Sequence, residues 1–304
     1  MLRAPIQSIA TRLSYLRQIA THPLNSGHRA SAVLRYLAWN IGRRLVTVEF
    51  VIPLLEGAKL ILSNHENYAT LAYTETLWDF SEMMFLLHFL REEDLFVDIG
   101  ANVGCYTVLA SALGQAHSVA IEPVPATFQK LRENIRLNAI ESRVEAMNVG
   151  IGQIPSKLEF TTTLGGLNRV ARRNDTDTTV AVDVYPLDKV LAGKNPVIMK
   201  LDVEGYEMNV LRGGARVLAH NSLHALIIEL NGSGRAYGFD DAEIHRHILS
   251  YGFRPFAYNP IKRSLSELSN YRKDGLNTLY CRRDIDVLNR ITTSRKFAIR
   301  GRLY

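Results

Sequence analysis

The chain has 304 residues, 47% of them hydrophobic and 22% charged, with a formal net charge of +6. That profile belongs to a globular protein with an ample core, and it excludes collagen, low-complexity disorder and a small disulfide scaffold. Cys105 and Cys281 stand far apart, so no disulfide framework or CxxC metal knuckle is available, and a reducing, cytoplasmic setting is expected.

The charge is unevenly placed. Residues 1–50 hold seven Arg and one acid, a net of +6, and residues 282–304 hold six Arg, one Lys and two Asp, a net of +5. The stretch between them carries 22 basic and 27 acidic side chains, a net of −5. A catalytic body that gripped phosphates across its own surface would be basic, so nucleic acid is a disfavoured partner.

In the first 45 residues Leu34, Leu37, Ala38, Ile41 and Leu45 recur at helical spacing, with Arg35, Arg43 and Arg44 mostly off that stripe. Three readings stay open: a helical appendage on the body, a helix for peripheral membrane or partner contact, and a transit peptide. A secretory signal is not expected, because no apolar run precedes a small-residue cleavage site. The longest apolar stretch, Val46 to Leu62, is broken by Glu49, Pro53, Glu56 and Lys59 and is too polar to span a bilayer. With no repeat or linker, the chain reads as a basic, partly helical extension (1–74), one body (75–282) and a basic tail (283–304).

From residue 78 the pattern is regular. Trp78 to Leu90 predicts a helix and Leu95 to Ile99 a buried strand, then come Gly100-Ala101-Asn102-Val103-Gly104 and a helix through Leu113. Ser118 to Ile121 predicts a strand ending in Glu122-Pro123, about Ala126 to Ala139 a helix, and Val144 to Val149 a third strand. A Thr- and Gly-rich insertion near 152–185 reads as a hairpin or loop with a strand at Thr179 to Val184. A short helix at Leu187 to Leu191 precedes a buried strand, Val197 to Leu201, which runs into Asp202-Val-Glu-Gly205. A helix over Tyr206 to Leu218, a strand over Ala225 to Leu230 and a helix over Ala242 to Ser250 follow. Strands at Phe253 to Tyr258 and Asn277 to Cys281 close the pattern. Alternating strands and helices predict a mainly parallel α/β sheet covered on both faces, with ligands bound beyond the carboxyl ends of the strands.

The residues at those ends carry the chemistry. The Gly-x-x-x-Gly spacing of Gly100 and Gly104 departs from the Gly-x-Gly-x-x-Gly of pyrophosphate binders, which disfavours a nicotinamide oxidoreductase. Asp98 at the strand end can hold the loop or neutralise a cationic ligand, and an acidic loop fits a ribose with a positive centre, as in S-adenosylmethionine. Glu122 is placed to accept both hydroxyl protons of a ribose, the alternative being a solvated acid before a turn. Asn148-Val149 falls where an adenine amine could be read, or forms a plain turn.

Lys200, Asp202 and Glu204 crowd one apolar strand end, and a carboxylate there could take the proton of a substrate hydroxyl. The alternative is a carboxylate capping the next helix. Asp202 with Glu229 and Asn231 offers oxygen ligands for Mg²⁺, in a layout similar to catechol-type O-methyltransferases. One residue intervenes between Glu229 and Asn231, so a metal is not favoured.

Together these residues resemble the FkbM-type family of S-adenosylmethionine-dependent methyltransferases. The likeness rests on Phe96-Val-Asp-Ile-Gly-Ala-Asn-Val-Gly104 with Tyr106-Thr107, on Ile121-Glu-Pro123, on Asn148-Val149, and on Lys200-Leu-Asp-Val-Glu-Gly-Tyr-Glu207 with Val210-Leu-Arg-Gly-Gly214. It implies a class I, Rossmann-like fold of seven mainly parallel strands with the last antiparallel, and methyl transfer to a hydroxyl of a sugar, glycan or secondary metabolite. Carried over, Asp98, Gly100, Ala101, Asn102, Gly104, Glu122, Asn148 and Val149 hold the cofactor, while Lys200, Asp202 and Glu204 face the reaction. A nucleic-acid methyltransferase and a non-catalytic, membrane-associated cofactor-binding module are the competing readings, and a homo-oligomer stays open.

Overall fold

The computed structural model describes residues 9–45, 48–63, 67–173, 175–274, 276–282 and 285–304. It begins with two helices, α1 (Ile9–Thr21) and α2 (Arg29–Leu45). The broken apolar stretch after them folds as an antiparallel hairpin, β1 (Glu49–Pro53) and β2 (Lys59–Ser63), turned through Glu56 and Gly57 at positive φ. Helices α3 (Asn67–Glu75) and α4 (Phe80–Phe89) lead into the body.

There β3 (Leu95–Ile99) is followed by α5 (Cys105–Val108), which continues as one π-turn, and by β4 (His117–Ile121). Next come α6 (Pro125–Leu137), with proline in its first turn, and β5 (Val144–Met147). The insertion is ordered: β6 (Gly150–Gly152), β7 (Ser156–Thr161) and β8 (Thr179–Pro186) form a separate three-stranded sheet. After α7 (Leu187–Val190) and β9 (Ile198–Leu201), the helix expected over Tyr206 to Leu218 is two helices, α8 (Glu207–Arg212) and α9 (Ala215–Ala219). The break falls at Gly213-Gly214, where a Cβ on Gly213 would lie 2.0 Å from the Gly152 carbonyl oxygen. Close backbone approach to β6 decides the break, and helical periodicity does not report it.

The remaining elements are β10 (Ala225–Glu229), α10 (Asp241–Ser250), β11 (Phe253–Asn259), β12 (Ser264–Glu267), β13 (Asn277–Arg282), α11 (Ile285–Thr293) and a terminal hairpin, β14 (Ala298–Ile299) with β15 (Arg302–Leu303). The main sheet has the order β12-β11-β13-β10-β9-β3-β4-β5. The run from β10 through β9, β3 and β4 to β5 is parallel, and β13 lies antiparallel between β10 and β11. The sheet therefore has eight strands rather than the expected seven. The extra one, β12, pairs antiparallel with β11 at the edge, and its exposed, serine-rich sequence lacks the apolar signal of a buried strand.

Strand pleating sorts the core into two layers. Phe96, Ile198, Ile227 and Leu279 pack on the side of α4, α5 and the N-terminal elements. Val97, Met199, Leu226 and Tyr280 pack on the other side, against α8 to α10. Asp98 and Lys200 are directly opposed across the β3–β9 ladder, on the α4 side.

Several C-terminal arginines bond back onto the molecule. Arg290 Nη1 pairs with Asp94 at 2.5 Å and Arg295 Nη1 with Glu56 at 2.7 Å. Arg300 donates to the Asn25 side chain and to the Thr74 carbonyl, and Tyr304 is buried edge-on against Phe80. The last residues thus clamp the N-terminal helices to the body.

Candidate active site

The loop after β3 exists in its shape because of glycine. Gly100 has φ +78°, and a Cβ there would lie 1.9 Å from the carbonyl oxygen of Asp202. Gly104 has φ +90° and abuts Leu131. Between them Asn102 is left-handed (φ 52°), and its Oδ1 accepts from its neighbour Val103 N and from Tyr68 Oη, both at 2.8 Å. Asp98 holds the loop's far side: its Oδ2 accepts from Thr107 N (3.1 Å) and Thr107 Oγ1 (2.7 Å). Burial raises the Asp98 carboxyl pKa, with Lys200 and Thr107 opposing.

Glu122, just past β4, is buried and bridges two backbones. Its Oε2 accepts from Asn102 N (3.0 Å) and its Oε1 from Val124 N (2.9 Å). Burial pushes its pKa up to about 7 against those hydrogen bonds. It edges a cleft walled by Ile121, Val149, Ile151 and Phe160 and reaching Gly100 and Asp202. Asn148 is not brought into this cleft: it is exposed, and its Nδ2 donates to the Glu122 and Pro123 carbonyls at 2.8 Å. The insertion supplies much of the outer wall through Phe160, Gly166, Asn168 and Val170. Periodicity shows only turn residues there, and only the folded β6–β8 sheet brings them over the strand ends.

A second cleft of about 530 Å³ opens on the α4 side of the same loop. Lys200, 4% exposed, pairs through Nζ with Asp202 Oδ2 at 2.7 Å and lies 4.9 Å from the centre of the Tyr106 ring. Burial pushes the lysine's pKa down, but Asp202, Asp98 and Asp79 outweigh it and hold it above its ordinary value. The Asp202 carboxylate is thus engaged with Lys200, and it does not cap α8.

Asp79 is the residue missed in the sequence. It sits at the start of α4, yet its side chain makes no capping bond; its Oδ2 accepts from Tyr106 Oη (2.9 Å) and Asn277 Nδ2 (3.1 Å). Burial raises its pKa, with the Lys200 charge opposing. An acid before an apolar helix reads as a cap, and nothing in the sequence alone distinguishes the two roles. Tyr68 and Trp78 complete this second cleft. Gly100, Asn102, Gly166 and Asp202 line both clefts, so the two meet at the carboxyl ends of β3 and β9.

Glu204 takes a left-handed backbone (φ 53°) beside the junction. Burial, then the charges of Asp202, Glu229 and Glu207, push its pKa up to about 8. Asn231 Nδ2 donates to Glu229 Oε1 at 3.2 Å, and Asn231 Oδ1 accepts from Ser233 N. Among the described residues no group of three His, Cys, Asp or Glu is arranged to hold a metal ion.

A glycine-turned loop after the first parallel strand, an acid after the second, and two clefts meeting at the ends of the first and fourth parallel strands of this domain place a candidate site where proteins of the open α/β class bind their ligands. Within that class the sequence profile of the Methyltransferase FkbM domain matches residues 98–255, half of the chain, and the chain belongs to that family. Among curated proteins it is similar to the hexuronic acid methyltransferase AglP of Haloferax volcanii, with 26% identity over 152 residues, 48% of this chain and 59% of that protein. It is also similar to Methyltransferase 1 of Beauveria bassiana, with 28% identity over 147 residues, 40% of this chain and 59% of that protein. The match thus spans less than two thirds of either relative. A solved structure of P. horikoshii TYW2 in complex with MeSAdo aligns over 86% of this chain and 84% of that one, at 15% identity and a TM-score of 0.43. At that level the likeness carries no weight beside the family match.

Proposed function

We propose that this chain transfers a methyl group from S-adenosylmethionine to a hydroxyl of a sugar, glycan or small metabolite. The observation that carries the reading is the meeting of two unlike clefts at Gly100, Asn102 and Asp202. One has apolar walls for an adenine ring and a carboxylate, Glu122, at its edge for a ribose diol. The other is lined by aromatic rings, two further acids and a lysine, the groups that bind a polyhydroxy acceptor. The residues fit such a cofactor: Gly100 and Asn102 bring loop backbone to the cleft, and the buried Asp98 beside it favours a sulfonium cation.

The cofactor would supply an activated methyl group, the new carbon–oxygen bond forming as the carbon–sulfur bond breaks and S-adenosylhomocysteine leaves. The protein's share is to hold cofactor and acceptor together and take the hydroxyl proton. Asp202, at the junction, receives that proton, and Lys200 fixes its carboxylate. Because the sulfonium charge disperses during transfer, the acidic lining serves cofactor binding more than the chemical step. The AglP relative is named for hexuronic acid methylation, which makes uronic-acid glycans the first acceptors to try. The C-terminal arginines' internal bonds support a non-nucleic-acid acceptor, since they leave less free charge for phosphates.

Calorimetric titration with S-adenosylmethionine and NAD, followed by tritiated-methyl transfer to glycan, lipid, protein and RNA fractions, tests the proposal. Label in a glycan or small-molecule fraction is expected. Failure to bind S-adenosylmethionine, or label confined to RNA, would overturn it.

A further inference from the structure

Helix α2 is mounted in an unusual sense. Its inner face is held by Ala32 and Tyr36, both buried against Ile19 of α1, and by Trp39, whose Nε1 donates to Thr70 Oγ1 at 2.9 Å and whose ring stacks on Tyr73 at 4.8 Å. Arg35 adds bonds to Ser31, Asn25 and the Thr74 carbonyl. The apolar stripe faces outward instead: Leu34, Leu37, Ile41 and Leu45 are 65%, 46%, 62% and 77% exposed. Single exposed leucines need no explanation, but four along one helical face form a continuous surface.

The segment that carries this surface is basic. Residues 1–48 contain seven arginines and no acid. The first acid after them, Glu49, is paired with Lys130, and Glu75 at the end of α3 is buried. On these helices Arg17 and Arg29 are exposed. Among the described residues no helix is long and apolar enough to cross a membrane.

From this geometry we propose that the outer face of α2 docks on an anionic membrane surface, lying in its plane with the leucine stripe in the acyl boundary and the arginines among acidic headgroups. An interfacial helix needs an apolar face and flanking cations, and each Lys or Arg near such a surface adds about 1 kcal/mol. The α2 surface has both features, already folded and rigidly held, so little ordering is required on docking. The membrane is favoured over a second copy of the chain by charge, because two N-terminal segments with seven arginines and no acid would repel each other. The docking face lies one helix away from the active site: α3 packs its Thr70 and Tyr73 on α2 and carries Tyr68, which donates to Asn102.

The test is flotation of the full chain with vesicles of phosphatidylcholine alone and of phosphatidylcholine with phosphatidylglycerol in equal parts. Binding to the anionic vesicles, weakened by salt, is expected. Leu34→Glu with Ile41→Glu should lower the bound fraction at least about tenfold without changing Tm or cofactor affinity, since both side chains are exposed. The milder Ile41→Ser should give an intermediate loss. Equal binding by the double variant, no anionic-vesicle binding by the wild type, or a wild-type dimer that the double variant splits would each overturn the proposal. The last result would assign the stripe to a second copy.

Discussion

The carbonyl oxygen of Asp202 lies 1.9 Å from the point a Cβ on Gly100 would occupy, so the ends of β3 and β9 touch backbone to backbone. That contact brings the acid of one strand to the glycine loop of the other and creates the junction of the two clefts. Gly100 also has φ +78°, so a side chain there meets both a clash and an unfavourable backbone. Gly100→Ala is expected to destabilise the fold by about 1–3 kcal/mol and to weaken S-adenosylmethionine binding at least about tenfold. Thermal melting and calorimetry check this, and unchanged affinity would show that the loop yields.

Asp202 and Lys200 separate chemistry from structure. Asp202→Asn keeps the shape but removes the proton acceptor, so kcat should fall about 10²–10⁴-fold with cofactor affinity little changed. Lys200→Met leaves Asp79, Asp98 and Asp202 without their shared cation, and Tm should drop further than in Asp202→Asn. Equal kcat in wild type and Asp202→Asn would remove Asp202 from the proton path.

Asp79 faces the acceptor side. In Asp79→Asn the bonds to Tyr106 and Asn277 can be rebuilt, whereas the charge is lost. We expect kcat/KM for the acceptor to fall about tenfold and the cofactor Kd to move less than about threefold. A larger change in cofactor Kd than in acceptor kcat/KM would place Asp79 on the cofactor instead.

The buried acids predict a pH dependence of stability. Glu75, Glu82 and Glu204 are raised to about 8, chiefly by burial, and Glu122, Glu207 and Glu229 to about 7. Between their unfolded values and these, the native state holds more protons than the unfolded chain, so stability falls as pH rises. His22 and His88, lowered by burial to about 4 and about 3, act oppositely, but only below the unfolded histidine value of 6.5. Above it the acids act alone. Tm should therefore fall on the order of 5 °C from pH 6.5 to pH 8. A flat or rising melting curve over that interval would contradict the burial of these groups. Because a ribose binds the ionised carboxylate better, cofactor affinity should rise over the same interval as Glu122 ionises.

The parallel core of the sheet was legible in the sequence because its strands are apolar on both faces and end in turn residues: β3, β4, β9 and β10 lie where Leu95 to Ile99, Ser118 to Ile121, Val197 to Leu201 and Ala225 to Leu230 predict them. The loop residues were legible for a related reason, since only glycine tolerates the turn at Gly100 and the motif is local. Two things depend on tertiary contacts and leave no local trace. Asp79 becomes a site residue because α4 starts beside Tyr106 and Asn277, far away in the chain. The insertion becomes a wall because β6 and β8 pair across it.

The ends of the chain make the contrast sharpest. Amino-acid order alone determines that both are basic and that α2 has an apolar stripe. It does not determine which way either one faces. Packing decided that, turning the C-terminal arginines inward onto carbonyls and acids while α2 is seated by Tyr36 and Trp39, with its leucines toward solvent. Periodicity defines a face of a helix, but only the partners available to the opposite face decide which of the two is buried.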